Sequence, residues 1–390
     1  MILRHSPAAA RMADIAPFHV MELMARAQAL EAAGRDIVHM EVGEPDFPTP
    51  EPVCEAARAF IATGRVRYTH ALGLPALREA VAAFYELRHG LRVDPRRIVV
   101  TAGASGALLL ALALLVGRDD EWLLPDPGYP CNRHFVRLLE GRPVPLPVTA
   151  ETGFQPTGDQ VLAAWGERTR ALMVASPANP TGTMLDRERL ADLWRAVRAR
   201  GGILVADEIY QGLTYGATAA TALALSDDVF VINSFSKYFN MTGWRLGWLV
   251  APEGCVRDVE KLAQNLFISP SAPAQHGALA AFQPTTLALL EERREEFRRR
   301  RDVLLPGLRN LGFRVPAEPE GAFYVYADIA DLAADSFEFA GRLIESAGVA
   351  ATPGLDFGIN APGRHMRFAY TVGTERLAEG LERIGRLLRA

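Results

Sequence analysis

Two lysines, Lys237 and Lys261, stand among the 42 basic residues of the sequence; every other one is arginine. The two residue types carry the same charge, but only a lysine amine can shed its proton and act as a nucleophile. Lys237 lies in SFSKYFNMTGWRLGW (234–248), with Ser234 and Ser236 just before it and Arg245 eight residues after it. Hydroxyls and a cation around one amine suit a dianionic phosphate held beside covalent chemistry. On composition alone, an arginine bias that spared two lysines explains Lys237 equally well. Lys261, in VRDVEKLAQNL, has no such neighbours and is expected to be exposed on a helix.

Four other stretches carry residue types fit for chemistry. GASGAL (103–108) follows an apolar run and opens a helical one. Small residues there, Ala104 and Ser105 included, let backbone N–H groups and a helix N-terminus approach a phosphate. SPANPTG (176–182) holds Asn179 in a turn between prolines, and PDPGYP (125–130) presents Tyr129 on a loop shaped by proline and glycine. ADEIY (206–210) sets Asp207 just past an apolar run, where a carboxylate is costly unless paired. Taken singly, a tight turn, a turn asparagine, a packing aromatic and a helix cap account for these four. GxGxxG and GxxxxGK[ST] are absent, which speaks against a dinucleotide or NTP site.

The elements that must position these residues can be read from the same stretches. RIVVTAG (97–103), EWLLPDPG (121–128), ALMVASP (171–177), GILVADEIY (202–210) and VFVINSFSK (229–237) are strand-like runs that alternate with helical ones. That alternation predicts a mostly parallel sheet with helices on both faces, and such sheets bind ligands beyond the carboxyl ends of their strands. Each run ends in one of the motifs above. Upstream, VMELMARAQALEAAG (20–34) predicts a helix stopped at Gly34, and the prolines of EVGEPDFPTPEP (41–52) predict an extended crossing segment. Downstream, 287–313 predicts one long helix. Glu295 and Arg299, and Glu296 and Arg300, are spaced there as ion pairs of a solvated face rather than as a nucleic-acid patch. AFYVYADI, SFEFAGRLIESAG, MRFAYTV and ERLAEGLERIGRLL then suggest a smaller α+β unit.

A chain of 390 residues has room for about two to three domains. Its composition is globular, and a net charge of −4 gives no reason to expect nucleic acid or a membrane surface. Cys54, Cys131 and Cys255 are odd in number and widely spaced, which fits a reducing compartment better than a disulfide or zinc framework. The start, MILRHSPAAARMADIAPF, lacks the long apolar core of a signal peptide, and GALLLALALLVG (106–117) is too short to cross a bilayer. The expected location is the cytoplasm.

Read together and in order, SPANPTG, ADEIY, SFSK and the arginine eight residues later resemble the signature of class I/II, fold-type I pyridoxal-phosphate aminotransferases. The likeness runs from EVGEPDFPTP to MRFAY. It implies an α/β fold: a large domain (53–280) with a mostly parallel seven-stranded sheet flanked by helices, and a smaller α+β domain built from 1–52 and 281–390. It implies pyridoxal 5'-phosphate as cofactor and ping-pong transfer of an amino group from an L-amino acid to a 2-oxo acid. By this resemblance, Lys237 would form the Schiff base and shuttle the proton, and Asp207 would hold the pyridine nitrogen protonated. Tyr210 and Asn179 would donate to the ring phenolate oxygen, and Tyr129 would stack on the ring. Ala104, Ser105, Ser234, Ser236 and Arg245 would surround the phosphate. Tyr68 would reach the phosphate of a neighbouring subunit, which implies a homodimer with shared sites. Arg367 would clamp the substrate α-carboxylate, helped by Asn179 and the backbone at Gly43.

A lyase or decarboxylase on the same fold would keep all these residues and stays open. A fold-sharing transcription regulator would need a DNA-binding module ahead of the first helix, where there is little room. Arg65, Arg67 and His70 could serve a distal substrate carboxylate but read equally well as surface residues. Ile15, Phe18 and Leu72 point instead to a neutral or aromatic side chain.

Overall fold

Eleven strands form among the described residues, which in this computed structural model are 8–216 and 219–389. The opening residues 1–7 of the stretch read above for a signal peptide lie outside them. In chain order the strands are β1 (Val38–Met40), β2 (Ile98–Thr101), β3 (Glu121–Asp126), β4 (Arg142–Pro147), β5 (Thr169–Ala175), β6 (Ile203–Asp207), β7 (Phe230–Ser234), β8 (Gly247–Val250), β9 (Tyr324–Asp328), β10 (Val349–Pro353) and β11 (His365–Ala369). Seven of them make one sheet in the order β2-β8-β7-β6-β5-β3-β4. All its pairs are parallel except those of β8, which runs against both β2 and β7. The other four form the sheet β1-β10-β11-β9.

The large sheet is covered on both faces, which is why its strands read as continuous apolar runs. Along β5, Leu172 and Val174 join one core with Leu204, Val231 and Leu193 and Val197 of the helix Arg187–Ala199. Ala171 and Met173 join the other, with Val205, Ile232 and Leu108, Ala111 and Leu112 of the helix Gly103–Leu115.

Two strands of this sheet escaped the sequence reading. β4 is RPVPLP, whose prolines argue against a strand. It lies at the sheet edge, where Arg142 and Val148 donate to the carbonyls of Asp120 and Asp126. Pro143, Pro145 and Pro147 have the opposite parity, so their missing N–H groups fall on the free edge. β8 is a short piece of the lysine motif itself. A Cβ at Gly247 would lie 2.7 Å from the Gly103 carbonyl carbon and 2.8 Å from the Ala104 nitrogen. Glycine there lets β8 pass directly beneath the start of the helix.

The long helix spans Pro284–Asn310. Its charge pattern departs from the expected one. Glu296 pairs with Arg300, but Glu295 turns to Arg298 and Arg299 to Glu296, so the Glu295–Arg299 pair does not form. Arg300 is not solvated either. It is buried, pairs with Asp46 at 2.7 Å and lies 4.9 Å from the Phe47 ring, tying the helix to the GEPDF segment.

Candidate active site

β5, β6 and β7 are neighbours and parallel, so whatever follows their carboxyl ends converges. Asp207 is the last residue of β6, Asn179 lies four residues past β5, and Lys237 three past β7. GASGAL follows β2 on the far side of β8, and Arg245 precedes β8. These residues surround a cavity of about 320 Å³ together with Gly43, Ala104, Ser105, Tyr129, Tyr210, Ser236 and Arg367.

Lys237 Nζ donates to the Gly43 carbonyl at 2.5 Å. Loss of solvation in the cavity, first of all, lowers its pKa to about 8; the charges of Arg367 and Arg245 act in the same sense, and Glu44 and Asp207 oppose them. Asp207 moves the other way for the same reason. Burial raises its carboxyl to about 6, against the Ile209 N–H it accepts at 3.1 Å and the charge of Lys237. No helix follows Asp207, only a turn, so the helix-cap reading does not apply. A buried amine poised to be neutral thus faces a buried carboxylate that lacks a strong partner, a pairing of opposed shifts typical of functional sites.

At the other end of the cavity the helix Gly103–Leu115 begins with no side chain capping it, so its first N–H groups lack local acceptors. Arg245 adopts a left-handed conformation, φ 52°, and a Cβ at Gly103 would lie 2.5 Å from its Nη2. Its guanidinium donates to the Thr242 carbonyl, and no carboxylate pairs with it among the described residues. Ser236 lines the cavity here. Ser234 does not: it is buried beside Ser236, with its hydroxyl engaged by Ser236 Oγ at 2.9 Å and the Leu246 carbonyl at 3.2 Å. An unpaired cation, an uncapped helix start and a hydroxyl suit a dianionic phosphate. With an amine and a carboxylate further in, the donor set fits pyridoxal phosphate.

Arg367 projects from β11 and is 2 % exposed. Its Nη1 donates to Asn179 Oδ1 at 3.0 Å and its Nη2 to the Glu41 carbonyl and Thr352 Oγ1. Its Nε–H has no partner although buried. A guanidinium carries five N–H donors, so some remain free for a ligand. Its carbon lies 4.3 Å from the Tyr324 ring centre and 5.0 Å from that of Phe357.

The sequence reading missed Tyr324, which it took only as part of a strand. The Tyr324 hydroxyl is 2.7 Å from that of Tyr210, and a Cβ at Gly43 would lie 2.3 Å from it, so Gly43 must be small. It also missed Val20, Met21 and Met24 of the helix His19–Ala32, and Leu108 and Ile209, all of which line the cavity. For the helix residues, the spacings of three (Met21–Met24) and four (Val20–Met24) were the available signal. Of the three apolar residues expected at the mouth, Phe18 lines the cavity; Leu72 is packed in the core and Ile15 is not part of the wall. Arg65, Arg67 and His70 are exposed outside it, and Tyr68 is 80 % exposed, away from this chain's own cavity.

Among the described residues no helix is long and apolar enough to cross a membrane. The family model for aminotransferase class I and II matches residues 35–384. A valine–pyruvate aminotransferase of Mycobacterium tuberculosis is 40% identical over 375 residues, covering 96% of each chain. An aspartate/prephenate aminotransferase of Thermus thermophilus is 37% identical over 97% of this chain and 98% of its own. The crystal structure of an aminotransferase from Mycobacterium tuberculosis superposes with a TM-score of 0.95 at 39% identity, covering 99% of this chain and all of that one. With Lys237 and Asp207 at the strand ends of the large sheet and Arg367 of the small sheet lining one cavity of this two-domain α/β fold, the chain belongs to the class I and II aminotransferases, the fold-type I transferases that work with pyridoxal phosphate.

Proposed function

We propose that the enzyme takes its amino group from amino acids with neutral, apolar side chains. One observation carries this. Beyond the residues suited to the phosphate, the lysine and the α-carboxylate, the cavity wall includes Phe18, Val20, Met21, Met24, Leu108 and Ile209, and its cations among the described residues are Lys237, Arg245 and Arg367. None of these is left over for a distal carboxylate, and Glu44 in the wall would repel one. The relative named for valine and pyruvate supports the same reading.

Pyridoxal phosphate, when bound, supplies an aldehyde that accepts the amino group and a ring that holds the electrons of the broken Cα–H bond. Ala104 and Ser105 N–H, Ser236 and Arg245 would hold its phosphate; Ser234, set behind the wall, orients Ser236. Tyr129 would cover the ring. Asp207 would keep a proton on the ring nitrogen, and Tyr210 and Asn179 would donate to the ring hydroxyl oxygen, with Tyr324 fixing the Tyr210 hydroxyl. Lys237 Nζ, whose enclosure eases the loss of its proton, would be the amine that holds the cofactor covalently and the base that carries the proton released from the substrate Cα. Arg367 spends its free N–H donors on the α-carboxylate, and the Gly43 backbone and Asn179 complete that subsite.

Tyr68 is largely exposed and does not line this chain's cavity, which supports its serving a second copy in a homodimer. The proposed division into a large domain of 53–280 and a small one of 1–52 with 281–390 is supported by the grouping of the strands into two sheets. Three unpaired cysteines support a cytoplasmic location. The test is the visible spectrum of the loaded enzyme as single amino acids are added without a 2-oxo acid. Bleaching of the yellow band by valine, leucine or alanine well before aspartate supports the proposal. Preference for aspartate would sink it, and a band that persists while ammonia or carbon dioxide accumulates would replace transamination with a lyase or decarboxylase.

A further inference from the structure

The helix His19–Ala32 carries much of the apolar wall, yet it is poorly secured at the end that does so. Its N-cap is Phe18, whose side chain has no acceptor for a helix N–H, and no local side chain caps the helix. Its distal half is fixed independently: Ala27 and Leu30 pack with Ile37, Ile344 and Ala350, and Arg26 pairs with Glu345. The proximal half, with Val20, Met21 and Met24, is held from far away in sequence. Asp356 Oδ1 accepts the His19 N–H at 3.0 Å and Oδ2 the Val20 N–H at 2.8 Å. Asp356 is 2 % exposed and sits in the short turn Gly354–Phe357.

That turn has other attachments, and each leads to the site. Phe357, the next residue, flanks the Arg367 guanidinium. Its carbonyl accepts the Gly128 N–H at 2.8 Å, beside Tyr129, while the Asp356 carbonyl accepts from Arg133 Nη2 at 3.1 Å. The Phe18 ring in turn meets Tyr129 edge to face at 6.5 Å. One turn therefore joins the cation proposed for the α-carboxylate to the helix proposed for the side chain. A carboxylate on two free N–H groups at the positive end of a helix is a strong cap.

We infer that Asp356 is a positioning residue that sets the side-chain subsite, clamping the first turn of the helix His19–Ala32 at a fixed distance from Arg367. The inference rests on the proposed preference for apolar side chains. Its effect is on selectivity. An anchored wall rewards each added methylene, whereas a loosened one rewards none.

The experiment measures kcat and KM for alanine, 2-aminobutyrate, norvaline and norleucine with one 2-oxo acid, in the wild type and in Asp356→Ala. Wild-type kcat/KM should rise along the series. In the variant that rise should flatten, with norleucine losing about 10-fold, a value set by the loss of a cap, mainly through KM, and alanine losing least. Hydrogen exchange of a peptide covering 18–24 in the loaded enzyme should quicken. A wild-type series with no rise would overturn the apolar-substrate reading itself. A wild-type rise that the variant retains, or a loss equal at every length, would overturn the role of Asp356 alone. If Asp356→Ala does not fold, Asp356→Asn, which keeps one acceptor oxygen, makes the same comparison with a smaller loss.

Discussion

Replacing Arg367 should damage recognition of the α-carboxylate in a measurable and specific way. Three of the five guanidinium donors serve Asn179, the Glu41 carbonyl and Thr352, and the Nε–H is unspent and buried. A hydrogen bond to a charged group contributes about 1.5–3 kcal/mol, and truncating one partner of a buried charged pair costs about 2–5 kcal/mol. At about 1.4 kcal/mol per factor of ten, Arg367→Ala should lower kcat/KM for alanine about 30- to 3000-fold. Arg367→Lys keeps the charge but loses the fork, and with it about one charged hydrogen bond, roughly a 10- to 100-fold loss. The assay compares each variant on an amino acid and on the matching amine without a carboxylate, by single-turnover loss of the visible band. Thermal melts check folding, because the lysine leaves Asn179 Oδ1 and the Glu41 carbonyl unserved. The loss should be confined to the amino acid. An equal loss on the amine would refute the reasoning, since Arg367 would then be supporting the fold rather than binding a carboxylate.

Lys237→Ala should abolish turnover, by about 10,000-fold or more, and leave any bound cofactor without its yellow lysine-linked absorption; near-normal turnover would overturn the assignment of the site. Asp207→Asn should slow transamination about 10- to 1000-fold, the equivalent of the 1–3 pKa units a close opposite charge provides. The same change should stabilise the unloaded protein at neutral pH. The buried carboxyl titrates near 6 rather than 3.8, so its contribution to stability is fullest below about pH 4 and declines as pH rises through 6. Removing it should gain up to about 3 kcal/mol above pH 6 and nothing at pH 4, which denaturant melts at the two pH values would detect; a pH-independent difference would contradict it. Tyr324→Phe removes the partner of the Tyr210 hydroxyl, worth about 1 kcal/mol, and should cost kcat about fivefold; unchanged kinetics would make Tyr324 a packing residue.

The residues easiest to find in the sequence were those whose chemistry admits one side chain. No arginine can do what a neutral lysine does, so Lys237 stood out in an arginine-rich chain. Asp207 was visible because it ends an apolar run that reads as a buried strand, and Asn179 because it sits in the proline turn that follows another. What stayed hidden depends on contacts between distant segments. Tyr324 alternates in a strand as any core tyrosine would, and only its 2.7 Å contact with Tyr210 distinguishes it. Met21 and Met24 look like ordinary positions of an amphipathic helix. Asp356 is more than 300 residues from the N–H groups it caps. Ser234 shows the opposite error: its hydroxyl had the right chemistry and position in the chain, but it is turned to Ser236 Oγ and the Leu246 carbonyl, and the side chain stays behind the wall. β4 was concealed because its prolines were counted without their parity.

The two shifted groups at the centre have a single cause, and it ties the fold to the chemistry. Removal from water lowers Lys237 and raises Asp207 because it penalises whichever form is charged. In the unloaded chain both shifts are a cost to stability, borne where the sheet is most deeply covered. In the proposed roles, Asp207 beside a protonated ring nitrogen and Lys237 as the cofactor's covalent anchor would both be relieved, so part of the binding energy would be the recovery of what folding gave up. The strand ends are the place for this exchange. There the backbone of each strand has finished pairing, while the flanking helices still keep water out. A side chain deeper in the strand would be locked in the sheet core, and one carried out onto a helix surface would be solvated, as the exposed Lys261 is.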